Sequence, residues 1–91
     1  MNASVPATVR CVVGSMGINA NGDSIVISGG MLLVLLEKTR IFARDACGEI
    51  SDTLSYVMLL PSGEIVQISW WIRSIMREDE AFLNRFEVLD C

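Results

Sequence analysis

The segment Pro61-Ser62-Gly63 is the feature that most restricts how this chain can fold. Proline has the fixed φ preferred at the second position of a type I turn. A glycine two residues later can take the left-handed conformation that closes a short hairpin with a bulge. The flanks agree with a turn. Leu54 to Leu60 has strand composition, and beyond the turn Val66, Ile68 and Trp70 alternate with Gln67 and Ser69. Period two marks a strand with one face in a core and the other in water. A hairpin is therefore expected here, with Val66, Ile68 and Trp70 inward and Gln67 and Ser69 outward.

Upstream, Met31 to Leu36 is apolar on both faces, which predicts a strand that is central in its sheet or covered. Between it and Leu54, the excursion Glu37 to Asp52 mixes charged residues with Ile41, Phe42 and Ile50. Such a mixture reads as a solvated loop or a long twisted hairpin held by a few apolar anchors, with Cys47-Gly48 at its tip. Nearer the start, Val5, Ala7, Val9, Cys11 and Val13 alternate with Pro6, Thr8 and Arg10, again a half-buried strand. Pro6 cannot donate to a ladder and fits only near the strand's beginning or on an edge. Asn21-Gly22 suits the positive φ angles of a tight hairpin turn, and Ser24 to Ser28 follows as a short strand carrying Ile25, Val26 and Ile27. At the far end, Glu78, Asp79 and Glu80 place negative charge where the first turn of a helix welcomes it. A short helix from about Asp79 to Arg85 is expected, then a closing strand over Phe86 to Leu89.

A length of 91 residues predicts one folded unit near the lower limit for a single core, and an apolar fraction of 52% is enough to fill one. The reading is a mainly β fold: an N-terminal strand or hairpin extension over residues 1–29 and a small β-barrel over residues 30–91. A net charge of −4 argues against nucleic acid as a partner, because affinity for a phosphate backbone comes largely from lysine and arginine. Met31 to Leu36 is far short of the roughly 20 residues a membrane helix needs, and no secretory signal stands at the N-terminus. A soluble, cytoplasmic chain without a membrane partner is expected.

Enzyme chemistry finds little purchase. There is no histidine, which removes the commonest acid/base catalyst and metal ligand together. Asp45, Glu49 and Asp52 have the chemistry for acid/base work but sit where solvated charges are expected. Cys11, Cys47 and Cys91 are too dispersed for a metal site and odd in number, so they read as reduced thiols. Gly29-Gly30 lacks the lysine and following helix of a phosphate loop. No catalytic residue, cofactor or metal is assigned.

Adjacent Trp70 and Trp71 must point to opposite faces of a strand. Trp70 falls in step with Val66 and Ile68 and belongs to the core. Trp71 then needs cover, either from the terminal helix around Phe82 or from another chain, tryptophan being enriched at binding hot spots.

The order of these segments (Gly30, Leu32 to Glu37, Tyr56-Val57, Leu59 to Ile65, Ile68 to Ile72, Phe86 to Leu89) resembles the small Src-homology-3-like barrels found in many short phage-encoded proteins. The resemblance covers residues 30–89 and leaves the first 29 outside it. It implies a small barrel with a long variable loop and a host-cytoplasmic or virion location. Eukaryotic signalling members bind proline-rich peptides through aromatic grooves and an acidic loop. This chain has neither their Ala-Leu-Tyr-Asp-Tyr opening nor their Pro-x-x-Tyr turn. Its own counterparts for partner binding are Tyr56, Trp71 and Phe42 as aromatics and Asp45, Glu49 and Asp52 as the acidic group.

The leading expectation is a non-enzymatic protein–protein association module, a phage or phage-like structural or accessory protein that self-assembles as a homo-oligomer or docks through sheet edges. It is motivated by strand-forming sequence in excess of one barrel, because unpaired edges are templates for pairing. The alternatives are a monomeric module that binds a peptide or host protein, and an acidic inhibitor of a nucleic-acid enzyme.

Overall fold

A computed structural model describes residues 5–44, 47–71 and 80–89. Within them run β1 (Ala7–Cys11), β2 (Ser15–Asn19), β3 (Ser24–Ile27), β4 (Leu32–Arg44), β5 (Ile50–Leu59), β6 (Ile65–Trp71), α1 (Glu80–Leu83) and β7 (Phe86–Val88). The mainly β expectation holds. All strand pairings are antiparallel, and the seven strands form one sheet in the order β3-β2-β6-β5-β4-β1-β7.

The local turn chemistry acts as the sequence predicts. Gly63 has φ 91° and donates its N–H to the Leu60 carbonyl at 2.9 Å, while Leu60 donates to Glu64 at 2.8 Å. Gly22, at φ 86°, closes the β2–β3 turn by donating to Asn19, and the Asn19 side-chain oxygen accepts from the N–H groups of Asn21 and Asp23. The excursion after Leu36 is the long hairpin: β4 and β5 stay paired out to Arg44 and Ile50, and Cys47-Gly48 is at the tip.

The sheet is a curled half-barrel. Its curl is visible at Cys11 in β1, whose Sγ lies 3.6 Å from the carbonyl of Ile27 in β3, although β2, β6, β5 and β4 intervene in the strand order. Alternate residues fill the concave side: Ala7, Val9 and Cys11; Leu33 and Leu35; Leu54, Tyr56 and Met58; Val66 and Ile68. The alternation expected of β6 is observed, with Trp70 packed against the core and Gln67 and Ser69 exposed.

The mouth of the curl is closed by aromatic rings. A helix of four residues has little stability of its own, since most helical stability in proteins comes from packing. Here α1 is fixed by Phe82, which stacks on Tyr56 at 4.5 Å and 9° and on Phe86 at 5.2 Å and 16°. Trp70 meets Tyr56 edge-on at 5.3 Å and Phe82 at 6.4 Å. Among the described residues, Tyr56, Trp70 and Phe86 are the rings packed against Phe82 of the helix. The expected cover of the Trp71 side chain, and Asp79 as the first helical residue, lie outside what is described.

The described part of the segment read as an N-terminal extension, residues 1–29, pairs in the same sheet as the strands of residues 30–91. β1 lies between β4 and β7, and β2–β3 continues the sheet beyond β6, so the N-terminal segment supplies core residues Val9, Cys11 and Ile27. The start of β4 is central in the order, as its two apolar faces predict, and on its convex face Leu32 is 50% and Leu36 38% exposed. A register shift between Leu35 and Glu37 leaves Leu36 without a direct partner on β5.

Candidate interaction surface

The sequence singled out Tyr56, Trp71, Phe42, Asp45, Glu49 and Asp52, and the fold does not bring them together as one surface. Tyr56 is fully buried beneath Phe82. Its register on β5 puts it opposite Lys38 and Ile68, on the concave side, so it is a core residue and not part of an aromatic surface. Trp71 is placed by its backbone opposite Thr53, its side chain and Asp45 being outside the described set. Phe42 is on the protruding end of β4 at 75% exposure, opposite Asp52, with Ile50 near it at 63%. Glu49 is exposed beyond the tip.

Asp52 is held in a forked ion pair. Arg40 Nε donates to its two oxygens at 3.1 and 2.9 Å and Nη2 donates at 2.6 Å. The guanidinium hydrogen bonds, helped by charge attraction and a backbone N–H from Thr53, hold the Asp52 carboxyl below the usual range. A carboxylate so engaged is a fastener of the arm and an unsuitable proton acceptor.

The second surface is an end of the sheet that the sequence did not single out. β3 is paired on one side by β2 and on its other side by no described strand. Its inward residue Ile27 is fully buried, whereas Val26 is exposed at 65% and lies opposite Met16, exposed at 58%. Ile18 extends this outward row to β6, opposite Gln67. Beneath Met16 and Val26 an open groove of about 490 Å³ runs to Ser69, Trp70 and Arg85. The β2–β3 pair seats close to β6 because Gly17 has no side chain: a Cβ there would fall 3.0 Å from Val66 Cβ and 3.3 Å from Ile68 Cγ1. The signal for this surface is the apolar run Ile25, Val26 and Ile27, which puts apolar side chains on both faces of a strand, but nothing in a strand's own residues says whether it has one neighbour or two.

The other end of the sheet is β7, which carries Phe86 inward and Glu87 outward beside Arg10 of β1. Burial pushes the Cys11 thiol up, its Sγ resting 3.2 Å from the Val13 carbonyl, so this cysteine stays protonated in the core. Among the described residues no group of three or more histidine, cysteine, aspartate or glutamate side chains is placed to hold a metal ion. No described helix is long and apolar enough to cross a membrane. Comparison with protein families, with curated proteins and with solved structures gives no match.

Proposed function

We propose that this chain is a non-enzymatic association module, which self-assembles or docks on a neighbouring subunit through the edges of its sheet. The observation that carries the reading is the open edge of β3, with Val26 and Met16 exposed beside it. An edge strand presents a row of N–H and C=O groups to any chain that can lie alongside, and edges not meant for pairing are blunted by proline, lysine or a bulge. Ser24–Ile27 has none of the three. The resemblance to Src-homology-3-like barrels adds a phage or phage-like structural or accessory role to the proposal. The absence of histidine and the engagement of Asp52 by Arg40 favour association over catalysis.

Light scattering coupled to size-exclusion chromatography tests this directly. The expected result is a mass above the 10.0 kDa of one chain that grows with concentration. A single-chain mass from micromolar to near-millimolar protein, together with no binding of an added β-strand peptide, would overturn it.

A monomeric peptide-binding module is the second reading, favoured by the exposure of Phe42 and Ile50 on the β4–β5 arm. It predicts that Phe42→Ser abolishes partner binding and leaves the mass distribution unchanged.

A further inference from the structure

We infer that the open edge of β3 takes the β3 of a second copy, antiparallel, about a two-fold axis through Val26. The inference rests on the association reading above and adds to it the partner, the strand and the register.

Ser24-Ile25-Val26-Ile27-Ser28 reads the same in both directions. Two antiparallel copies related by a two-fold axis through Val26 therefore meet like with like. Val26 stands opposite Val26, Ile25 opposite Ile27 of the second copy, and Ser24 opposite Ser28. Directly opposed residues of an antiparallel pair share a face, so this register keeps both isoleucines on the concave side and Val26 on the convex side. A slip by one residue would oppose Val26 to an isoleucine facing the other way. The convex row becomes Met16, Val26, then Val26 and Met16 of the second copy, an unbroken apolar stripe.

At the β2–β3 turn, Asn19 donates its N–H to the Asp23 carbonyl at 3.0 Å. Hydrogen-bonded and non-hydrogen-bonded pairs alternate along an antiparallel ladder. From Asn19–Asp23 onward, Gly17–Ile25 and Ser15–Ile27 are then the hydrogen-bonded pairs with β2. The N–H and C=O groups of Ser24 and Val26 consequently face the open edge. Those are the groups the palindromic register requires: Val26 exchanges two hydrogen bonds with Val26 of the second copy. Each Ser28 N–H then meets a Ser24 carbonyl, the Ser28 carbonyl being already engaged by Met31 N–H at 3.1 Å.

The chain is acidic, so a symmetric contact runs the risk of opposing carboxylates. Here Asp23 falls opposite Gly29 of the second copy, and no charged residue meets its own image.

The test uses the full chain. Val26→Lys places two ammonium groups opposite each other at the axis, and with Val26 exposed at 65% the fold survives, as far-UV circular dichroism will verify. Sedimentation should show the wild-type dimer weakened by at least about tenfold in this variant. Register is read separately by Val26→Cys in a Cys47→Ser, Cys91→Ser background. A hydrogen-bonded pair holds its Cα atoms about 5.5 Å apart, within disulfide reach, so oxidation should give a covalent dimer. Ser24→Cys in the same background should not cross-link, because its two copies would be at least about 13 Å apart at roughly 3.4 Å per residue. A dimer that persists in Val26→Lys, or a Ser24→Cys chain that cross-links in place of Val26→Cys, overturns the β3 inference and leaves the association reading standing. A wild-type monomer at every concentration that also binds no added strand overturns both. Binding of an added Thr-Val-Thr-Val-Thr peptide to an otherwise monomeric chain assigns the edge to a foreign strand and overturns the second-copy inference.

Discussion

The two ends of this sheet carry the same kind of liability and deal with it differently. β7 is three residues long, and its outward residue is Glu87. Leu89 donates its N–H to Thr8, and Val12 donates to Arg85, so Glu87 is hydrogen-bonded to β1 and only Phe86 and Val88 offer backbone groups to a newcomer. A second β7 laid symmetrically alongside would bring Glu87 against Glu87, and like charges directly opposite are destabilising. β3 is only one residue longer, has no charge within it, and carries a sequence symmetric about Val26. Length hardly separates the two edges; the residue at the centre of symmetry does.

Substitutions that sharpen or break this comparison range from several kcal/mol to none. The largest effect is expected where an edge is fastened to the core. Phe86→Ala removes the ring stacked on Phe82 and the only fully buried anchor of β7. It should cost about 3 to 5 kcal/mol, measured as a lower midpoint in urea unfolding, and a loss below 1 kcal/mol would mean that β7 is held by something else. Next comes Gly17→Val, which forces new methyl groups against Val66 and Ile68. A cost of about 1 to 3 kcal/mol is expected, together with faster amide exchange confined to β2 and β3.

A smaller change in stability, and the more direct test of the comparison, follows from Glu87→Val. The Arg10–Glu87 pair spans 3.8 Å with both side chains about half exposed, so its loss should move stability by no more than about 1 kcal/mol. If the carboxylate is what protects β7, the variant gains an association that Val26→Lys does not remove. Unchanged mass in the Glu87→Val, Val26→Lys double variant would show that charge is not the guard.

The mildest effect is on the β4–β5 arm, away from both edges. The Asp52 carboxyl is held below the usual range by Arg40, so whatever it contributes is present above its unfolded-state pKa and is lost as pH falls through the lower folded-state value. In Arg40→Met, NMR titration should find the Asp52 transition moved up toward that of an ordinary aspartate. No movement would assign the shift to Thr53 and the local backbone.

The residues involved show why some of this was legible early. Pro61-Ser62-Gly63 and Asn21-Gly22 fix turns through φ preferences that belong to the residues themselves, and both hairpins appear where those residues stand. Val66, Ile68 and Trp70 announce their face by period two, which holds for any strand with one wet side. Phe42 and Asp52 lie on the β4–β5 hairpin, whereas Tyr56 is buried, and an aromatic residue in a strand looks the same in sequence whether Phe82 comes to cover it or not. The cover arrives from a segment 26 residues away in the chain, through a helix too short to be stable alone.

Taken by itself, the sequence determined where this chain turns, which residues share a face, and that Ser24 to Ser28 reads the same in both directions. Each of these is written in neighbouring residues, through backbone φ and side-chain alternation. Tertiary structure alone decided that β1 would be interior, that β3 and β7 would be the two ends, and that Tyr56 would lie beneath Phe82. Such facts depend on how the curled sheet orders strands distant along the chain, and no strand carries in its own residues the count of its neighbours.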